Sequence, residues 1–344
     1  MVHSWVCVAF WWQSGAMSAA SVSEQTLESS GGNSVAVLMP VYNDWDCIGT
    51  LLRRLDDSLA AKGLKAGVLL VDDNSSQQAD AYVPGQENFL AIQHLEVLRL
   101  RCNLGHQRAI SLGLCHLAKK KLCAPVVVMD ADGEDRPEDV PALWDAFQKS
   151  GGRKVVFAAR MKRMEGAAFR IGYHCYRILH WLLTGVAVRV GNFSICPWHV
   201  VQQLTVRPEL WNHYAACIYH SNISYDMLPL DRGVRISGKS KMRFVNLAIH
   251  GLSAISVFTD RVAIRMLVAA AVTLGGLCMG LAAAVHRGLP GVTLVLLGGL
   301  ILLAFQTLLV ILAIALYSLA RRSSPQIIPE QLYPYYVLNP APQG

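Results

Sequence analysis

The sequence predicts an α/β domain on a mostly parallel, Rossmann-like sheet, followed by two long apolar helices. Short apolar runs alternate with segments of helical periodicity through the first part of the chain. The connections between these runs are too long for hairpins, which favours parallel pairing of the strands. Two long apolar stretches, at 266–285 and 291–320, then dominate the C-terminal part.

The same patterns assign the elements in chain order. Apolar runs predict strands at 35–39, 68–71, 95–100, 125–129 and 155–158. Apolar positions three and four residues apart predict helices at 48–59, 105–120, 137–149 and 169–184. Further on, 191–194 indicates a turn into an extended segment, and 232–243 a basic loop. Residues 244–258 fit either an interfacial helix on a membrane or an ordinary core-facing helix.

The two apolar stretches predict a transmembrane hairpin, with a buried helical pair as the alternative. Two arginines precede the hairpin, two follow it, and the short loop between the stretches carries one. The excess of positive charge at the ends predicts a multi-pass protein of the cytoplasmic membrane whose catalytic domain faces the cytoplasm. The expected division is a disordered leader at 1–33, a catalytic domain at 34–240, a juxtamembrane segment at 241–262, the hairpin at 263–320 and a cytoplasmic tail at 321–344.

Charge and cysteine content indicate which ligands and which redox state the protein is expected to have. The chain has 344 residues, 53% of them hydrophobic, and a net charge of +7. No zinc-finger spacing or aromatic RNA-binding strand is present, so the basic charge indicates a membrane surface and phosphate ligands rather than nucleic acid. The nine cysteines form no CxxC pair, which favours reduced thiols.

Polar and acidic residues follow the predicted strands where each strand ends. They are Tyr42, Asn43, Asp44, Asp72, Asp73, Asp130 and Asp132. In parallel α/β sheets these ends meet at the edge where ligands bind. Asp130 and Asp132 are one residue apart and can both reach a hard cation such as Mg²⁺ or Mn²⁺, which can in turn hold a diphosphate. The alternative is a solvated acidic turn.

Five segments together resemble the family 2 glycosyltransferases, and most closely their polyprenyl-phosphate branch, which includes dolichol-phosphate mannose synthases and bacterial GtrB-type enzymes. The segments are Pro40-Val-Tyr-Asn-Asp44, Val71-Asp-Asp-Asn-Ser75, Arg101-Cys-Asn-Leu-Gly-His106, Asp130-Ala-Asp132 and Arg235-Ile-Ser-Gly-Lys-Ser-Lys241. The resemblance covers roughly residues 34 to 320. It implies a GT-A fold, a UDP- or GDP-linked sugar donor and inversion at the anomeric carbon.

The resemblance also implies roles for individual residues. Donor binding falls to Pro40, Tyr42, Asp44, Asp72 and Asp130. Asp130 and Asp132 are expected to hold the metal and the diphosphate, and with Arg235 they form the catalytic set. Glu134 stands where the branch often has a glutamine metal ligand, and it is the third predicted ligand. The scattered histidines are interpreted as structural; they are His106, His174, His199, His213 and His220.

The acceptor remains open between a lipid phosphate and a hydroxyl. A hydroxyl needs a general base, for which Asp135, Glu138 and Asp226 are candidates. A polyprenyl phosphate is already ionised and needs cations instead. The phosphate-binding residues that the resemblance implies among the basic and polar residues here are Arg160, Arg170, Ser240 and Lys241.

Other classes of protein remain as alternatives. A non-catalytic membrane adaptor with this fold stays possible, and so does homo-oligomerisation. A processive polymer synthase is disfavoured because no QxxRW-like segment is present. A nucleotidyltransferase is disfavoured because the first strand is not followed by a glycine-rich loop.

Overall fold

The computed structural model describes residues 33–77, 79–85, 88–121, 123–160, 167–186, 191–236, 244–286, 290–320 and 328–338. The strands of this part are β1 (Ser34–Val41), β2 (Lys65–Asp72), β3 (Ile92–Arg99), β4 (Val126–Val128), β5 (Val155–Arg160), β6 (Ser194–Cys196) and β7 (Tyr225–Leu230). The α-helices are α1 (Ile48–Lys62), α2 (His106–Lys120), α3 (Val140–Lys149), α4 (Ala167–Thr184), α5 (Trp198–Thr205), α6 (Tyr214–His220), α7 (Phe244–Ser256), α8 (Thr259–His286), α9 (Gly291–Ala320) and α10 (Pro329–Tyr336). The predicted leader at 1–33 lies outside the described residues except for its last position.

The strands form one seven-stranded sheet in the order β3-β2-β1-β4-β6-β5-β7. The pairs β1–β2, β1–β4, β2–β3 and β5–β7 are parallel. Strand β6 runs antiparallel to both β4 and β5. The prediction of a mostly parallel sheet is therefore confirmed, with one antiparallel insertion that the sequence analysis did not foresee.

Successive side chains of β1 point into two separate cores. Val37 and Met39 pack with α1 and α3 on one face of the sheet. Leu38 packs with α2 and α6 on the other face. This alternation follows from the two-residue period of a strand, and it explains why β1 is apolar throughout. Helix α2 lies very close to the sheet, because a Cβ on Gly113 would stand 2.5 Å from the Leu38 side chain.

The predicted helical pair is present as α8 and α9, which pack against each other. Large apolar side chains on both helices are exposed, such as Val272 at 69% and Leu300 at 64%. Judged by length and apolarity together, none of the helices in the described ranges qualifies as a membrane-crossing segment. The transmembrane hairpin is therefore not confirmed.

Part of the segment predicted as a tail, residues 328–338, packs against the domain that carries the sheet. Helix α10 packs on α2 and brings the chain back to the end of β3. There Leu100 and Val337 form an antiparallel bridge. The backbone N–H of Arg101 donates to Tyr336 O at 2.8 Å, and the N–H of Leu338 donates to Arg99 O at 3.0 Å. Residues 328–338 are thus an integral part of the catalytic domain's surface.

Candidate active site

Acidic residues from three neighbouring strands lie at one edge of the sheet. The order β2-β1-β4 places the carboxyl ends of these parallel strands side by side. Asp72 ends β2, Asp44 follows β1, and Asp130 and Asp132 follow β4. The sheet topology therefore brings together the carboxylates that the sequence singles out.

The loops after β1 and β2 are joined by hydrogen bonds around Asp72. The N–H of Ser75 donates to Asp72 Oδ1 at 2.9 Å, and the N–H of Asn43 donates to Ser75 Oγ at 2.9 Å. Asn43 adopts a left-handed backbone with φ of 53°. Pro40 is buried within β1, whereas the Tyr42 side chain is 46% exposed. An exposed aromatic ring beside a structured acidic loop is suited to contact a nucleoside.

Arg235 connects two of these strand ends. It lies in the crossing segment, residues 231–236, which follows β7 and passes over the loop after β4. Its Nη2 lies 3.1 Å from both oxygens of Asp44, and its Nη1 lies 3.0 Å from Asp132 Oδ2. Asp44 and Asp132 thus share one cation, which shows that they face the same cleft.

The crossing segment is fixed to the aspartate loop by close packing. The N–H of Gly233 donates to Glu134 O at 2.9 Å, and the N–H of Ile236 donates to Asp132 O at 3.0 Å. The Glu134 side chain accepts a hydrogen bond from Arg232. A Cβ on Gly133 would stand 2.5 Å from the Ile236 side chain, and Gly133 has φ of 85°. Only glycine both lacks a Cβ and adopts this left-handed backbone without strain.

Burial, together with the surrounding negative charge, raises the pKa of Asp132 to about 6. Burial contributes most, and repulsion from Asp130 and Glu134 adds to it, while Arg235 and a backbone hydrogen bond act in the opposite direction. An acid with this pKa remains largely ionised at neutral pH and is able to bind a cation there.

His106 belongs to this cleft, although the sequence analysis interpreted it as structural. It is the first residue of α2, and its Nε2 lies 3.2 Å from Asp130 Oδ1. Burial opposes protonation of His106, but the carboxylate of Asp130 outweighs it and raises the pKa of the imidazole. The available signal was the position of His106 at the end of the Arg101–His106 motif, in the first turn of the helix that follows the third strand.

The candidate general bases are engaged in other contacts. Asp135 is buried, and it accepts a hydrogen bond from the N–H of Asp130 at 2.8 Å. Glu138 pairs with Arg54 through bonds of 2.7 and 2.9 Å. Asp226 pairs with a lysine of the loop before β5 at 3.1 Å. These contacts give each of the three carboxylates a structural role.

The predicted acceptor residues are only partly covered by the structure. Arg160 ends β5 opposite Leu230 of β7, and Arg170 lies in α4. Ser240 and Lys241 lie outside the described residues. Across the described ranges, no group of three or more histidine, cysteine or acidic side chains is arranged to hold a metal ion. Of the predicted ligands, Asp132 contacts Arg235 and Glu134 contacts Arg232.

Comparison with known proteins identifies relatives for the first part of the chain. Residues 36–197 match the family model described as glycosyl transferase family 2. A curated undecaprenyl-phosphate 4-deoxy-4-formamido-L-arabinose transferase from Klebsiella pneumoniae is 31% identical over 131 residues, which are 38% of this chain and 38% of that protein. The transferase of the same description from Erwinia tasmaniensis is 30% identical over 154 residues, 45% of each chain. The matches thus span less than half the length of these relatives.

Solved structures align at lower identity. Mannosyl-3-phosphoglycerate synthase from Rubrobacter xylanophilus aligns with a TM-score of 0.46 and 14% identity, over 67% of this chain and 74% of that one. Glucosyl-3-phosphoglycerate synthase from Mycobacterium tuberculosis, solved with Mn²⁺, UDP-glucose and phosphoglyceric acid, aligns with a TM-score of 0.47 and 14% identity, over 67% and 80% of the chains.

The family match and the fold agree with each other. The matched residues run from β1 to the end of β6 and include the aspartates after β1, β2 and β4. The mixed sheet with helices on both faces is the GT-A architecture that the resemblance implies. Residues 36–197 therefore match glycosyl transferase family 2, and curated relatives of this region are described as undecaprenyl-phosphate transferases.

Proposed function

We propose that this chain transfers a sugar from a nucleotide-sugar donor to a polyprenyl phosphate at a membrane surface, with inversion at the anomeric carbon. The observation that carries the proposal is the convergence of Asp44 and Asp132 on one guanidinium, beside Asp72 and Asp130 at neighbouring strand ends. Such a cleft is suited to a nucleoside diphosphate and its cation. The relatives described as undecaprenyl-phosphate transferases support the choice of a lipid phosphate acceptor.

The donor is expected to lie along the ends of β2, β1 and β4. Tyr42 offers an exposed ring, and Asp72 organises the loop that would border the nucleoside. Asp130 and Asp132 would hold a divalent cation, Mg²⁺ or Mn²⁺, since their oxygens suit both ions. Such a cation stabilises the charge that develops on the departing diphosphate.

Arg235 is proposed to act on phosphate as well as on carboxylate. Its guanidinium already lies between Asp44 and Asp132, where a diphosphate and its cation would bind. A planar guanidinium matches phosphate oxygens with paired hydrogen bonds. Arg235 is therefore expected to exchange carboxylate contacts for phosphate contacts when the donor arrives.

The burial and ion pairs of the candidate general bases favour a phosphate acceptor. A hydroxyl acceptor would need a carboxylate with access to the substrate. Asp135 is buried, and the side chains of Glu138 and Asp226 are held by an arginine and a lysine. A phosphate acceptor needs no base, and Arg160, Arg170, Ser240 and Lys241 remain the proposed cationic and polar residues around it.

The C-terminal helices are proposed to bring the domain to the lipid. Exposed apolar side chains on α8 and α9 support contact with a bilayer. Helix α10 returns the chain to the catalytic domain, so both ends of the α8–α9 pair lie on that domain's side. Together with the flanking arginines, this supports a membrane protein whose catalytic domain faces the cytoplasm. A bilayer-spanning arrangement of residues 263–320 stays a prediction.

The function is tested with membranes that contain the full chain. They are incubated with radiolabelled UDP- and GDP-sugars and undecaprenyl phosphate, and organic-soluble label is counted. We expect a lipid-linked product that falls by at least about 100-fold in Asp132→Asn. The matched control is Asp145→Asn, which removes an exposed carboxylate bound to Lys62. Label that enters only water-soluble glycosides would contradict a polyprenyl phosphate acceptor.

A further inference from the structure

The β3 loop, residues 100–105, is tied through its second half to a buried carboxylate. The N–H groups of Leu104 and Gly105 donate to the two oxygens of Asp73 at 2.7 and 2.9 Å. The Asn103 side chain donates to Asp73 O at 3.3 Å. Asp73 is buried and directly follows β2. These bonds therefore hold the second half of the loop against a strand end where the donor is expected.

Residues 336–338, which we call the clasp, hold the first half of the loop. The N–H of Arg101 donates to Tyr336 O at 2.8 Å, and the N–H of Leu338 donates to Arg99 O at 3.0 Å. The Nε of Arg101 also donates to a clasp carbonyl at 3.2 Å. The clasp thus pairs with the end of β3 and the start of the loop, so the β3 loop is fixed in both of its halves.

The clasp is anchored by contacts that do not involve the β3 loop. Helix α10, which leads into it, packs on α2. The ring of Tyr336 lies 5.6 Å from that of Trp211, and the hydroxyl of Tyr333 lies 2.5 Å from His116 Nδ1. Val337 is buried. The clasp therefore has a position of its own, from which it can hold the loop.

The β3 loop adjoins two carboxylates of the candidate active site. The N–H of Leu100 donates to Asp72 O at 2.9 Å. At its other end the loop leads into His106, whose Nε2 lies 3.2 Å from Asp130 Oδ1. A displaced loop would therefore move groups that contact two of the residues proposed to bind the donor.

From these contacts we propose that the clasp is a positioning segment for the donor site. It acts through the β3 loop, which it fixes before the donor arrives. A loop that is already ordered loses less conformational entropy on binding, so the affinity for the nucleotide rises. The proposal rests on the proposed function and deepens it, because it makes the donor site depend on a segment that the chain reaches only after α8 and α9.

The test compares two substitutions at Leu338 in the full chain. Leu338→Pro removes the N–H that donates to Arg99 O, and Val337, with φ of −92° and ψ of 132°, is compatible with a following proline. Leu338→Ala keeps this N–H and is the matched control, since the leucine side chain is 45% exposed. Calorimetry with UDP and with GDP, each in the presence of Mn²⁺, measures nucleotide affinity. Hydrogen-exchange mass spectrometry follows the amides of residues 103–106 and of β1.

Leu338→Pro should weaken nucleotide binding by about 2- to 10-fold, the factor that corresponds to the net loss of one hydrogen bond. Exchange in residues 103–106 should become faster by a similar factor, whereas exchange in β1, which reports global unfolding, should not change. Leu338→Ala should match the native protein in each measurement. Arg101→Met removes the side-chain bond to the clasp from the loop side and should act like the proline variant. The result therefore does not depend on whether Leu338→Pro folds.

The outcomes separate this proposal from the proposed function. Equal nucleotide affinity in the two Leu338 variants would overturn the proposal, whatever their exchange rates, and would leave the sugar transfer untouched. Faster exchange in β1 as well as in the loop would also overturn it, because the clasp would then stabilise the whole domain rather than position the loop. A native protein that binds neither UDP nor GDP would contradict the proposed function, and the donor role of the clasp with it.

Discussion

At the scale of single residues, the candidate site depends on one glycine that lets two segments touch. Gly133 stands between Asp132 and Glu134 with φ of 85°, and the Ile236 side chain fills the space where a Cβ would be. This contact holds the crossing segment, and with it Arg235, against the aspartates. The geometry of the cleft is therefore sensitive to a single methyl group.

Substitution of Gly133 by alanine should impair both stability and donor binding. Gly63→Ala is the matched control, since Gly63 has φ of 69° and no atom near its Cβ position. The control should lose only about 1–2 kcal/mol of unfolding free energy from the left-handed backbone. Gly133→Ala should lose more and should raise the KM for the nucleotide sugar. Urea unfolding and steady-state kinetics check this, and equal effects of the two substitutions would contradict it.

The acidic residues of the cleft were predictable one by one, but His106 was not. Asp44, Asp72, Asp130 and Asp132 each follow an apolar strand, so a local pattern marks them. His106 stands in a motif, but the sequence alone does not show that it contacts Asp130. That contact joins residues 24 positions apart, and it follows from the sheet topology that places α2 beside the end of β4. The arginine pairing of Glu134 likewise depends on the course of the crossing segment after β7.

At the scale of elements, α10 is anchored by a small polar cluster. The hydroxyl of Tyr333 lies 2.5 Å from His116 Nδ1, and His116 Nε2 lies 3.0 Å from Glu96 Oε1. Lys120 donates to the other oxygen of Glu96 at 2.7 Å. The cluster connects α10, α2 and β3, so it couples the C-terminal segment to the sheet.

Because of this cluster, the free energy of unfolding should depend on pH in the acid range. Desolvation raises the pKa of Glu96, but hydrogen bonds from its histidine and lysine partners outweigh this and hold the pKa well below its usual value of 4.5. The stabilisation is thus complete above about pH 4.5 and declines as the pH falls through the lowered folded value. Glu96→Gln should flatten the pH dependence of the unfolding free energy in this range. Glu330→Gln on α10 is the control and should leave the slope as it is.

Elements with strong periodicity were predicted well, and short or irregular elements were predicted only in part or missed. Helix α1 and strand β1 appear within a few residues of their predicted bounds, because burial imposes a clear apolar pattern on them. Strand β6 has only three residues, and the sequence indicates it only as an extended segment after the turn at 191–194. Strand β7 is an edge strand with mostly exposed side chains, so it carries no such pattern. Helix α10 contains an internal proline that obscures its helical signal.

At the scale of the whole molecule, the catalytic domain and the α8–α9 pair differ in how much apolar surface they expose. The domain buries most of its apolar residues in two cores, whereas α8 and α9 expose many of theirs, including Leu308 at 61%. Large exposed apolar surfaces mark sites of interaction with lipid or protein. The molecule is therefore expected to hold its active site close to a lipid phase.

Association with lipid is predicted to depend on the exposed face of α9. The full chain should float with vesicles of phosphatidylethanolamine and phosphatidylglycerol in a density gradient. Leu308→Arg should reduce the floating fraction, because an arginine in the middle of an apolar helix costs about 2.5–3.5 kcal/mol in lipid. Leu90→Arg is the control, since Leu90 is 75% exposed but lies in the catalytic domain. Equal flotation of both variants would count against lipid contact through α9.

The bridge between Leu100 and Val337 has a practical consequence for anyone who shortens this protein. A fragment that stops before residue 328, designed to remove the apolar helices, would also uncover the C-terminal end of β3, where Leu338 donates to Arg99 O, and the ring of Trp211 that Tyr336 contacts. Exposed strand edges can pair with those of another molecule, so such a fragment should aggregate more readily than the intact chain. Supplying residues 328–338 as a separate peptide should restore its solubility.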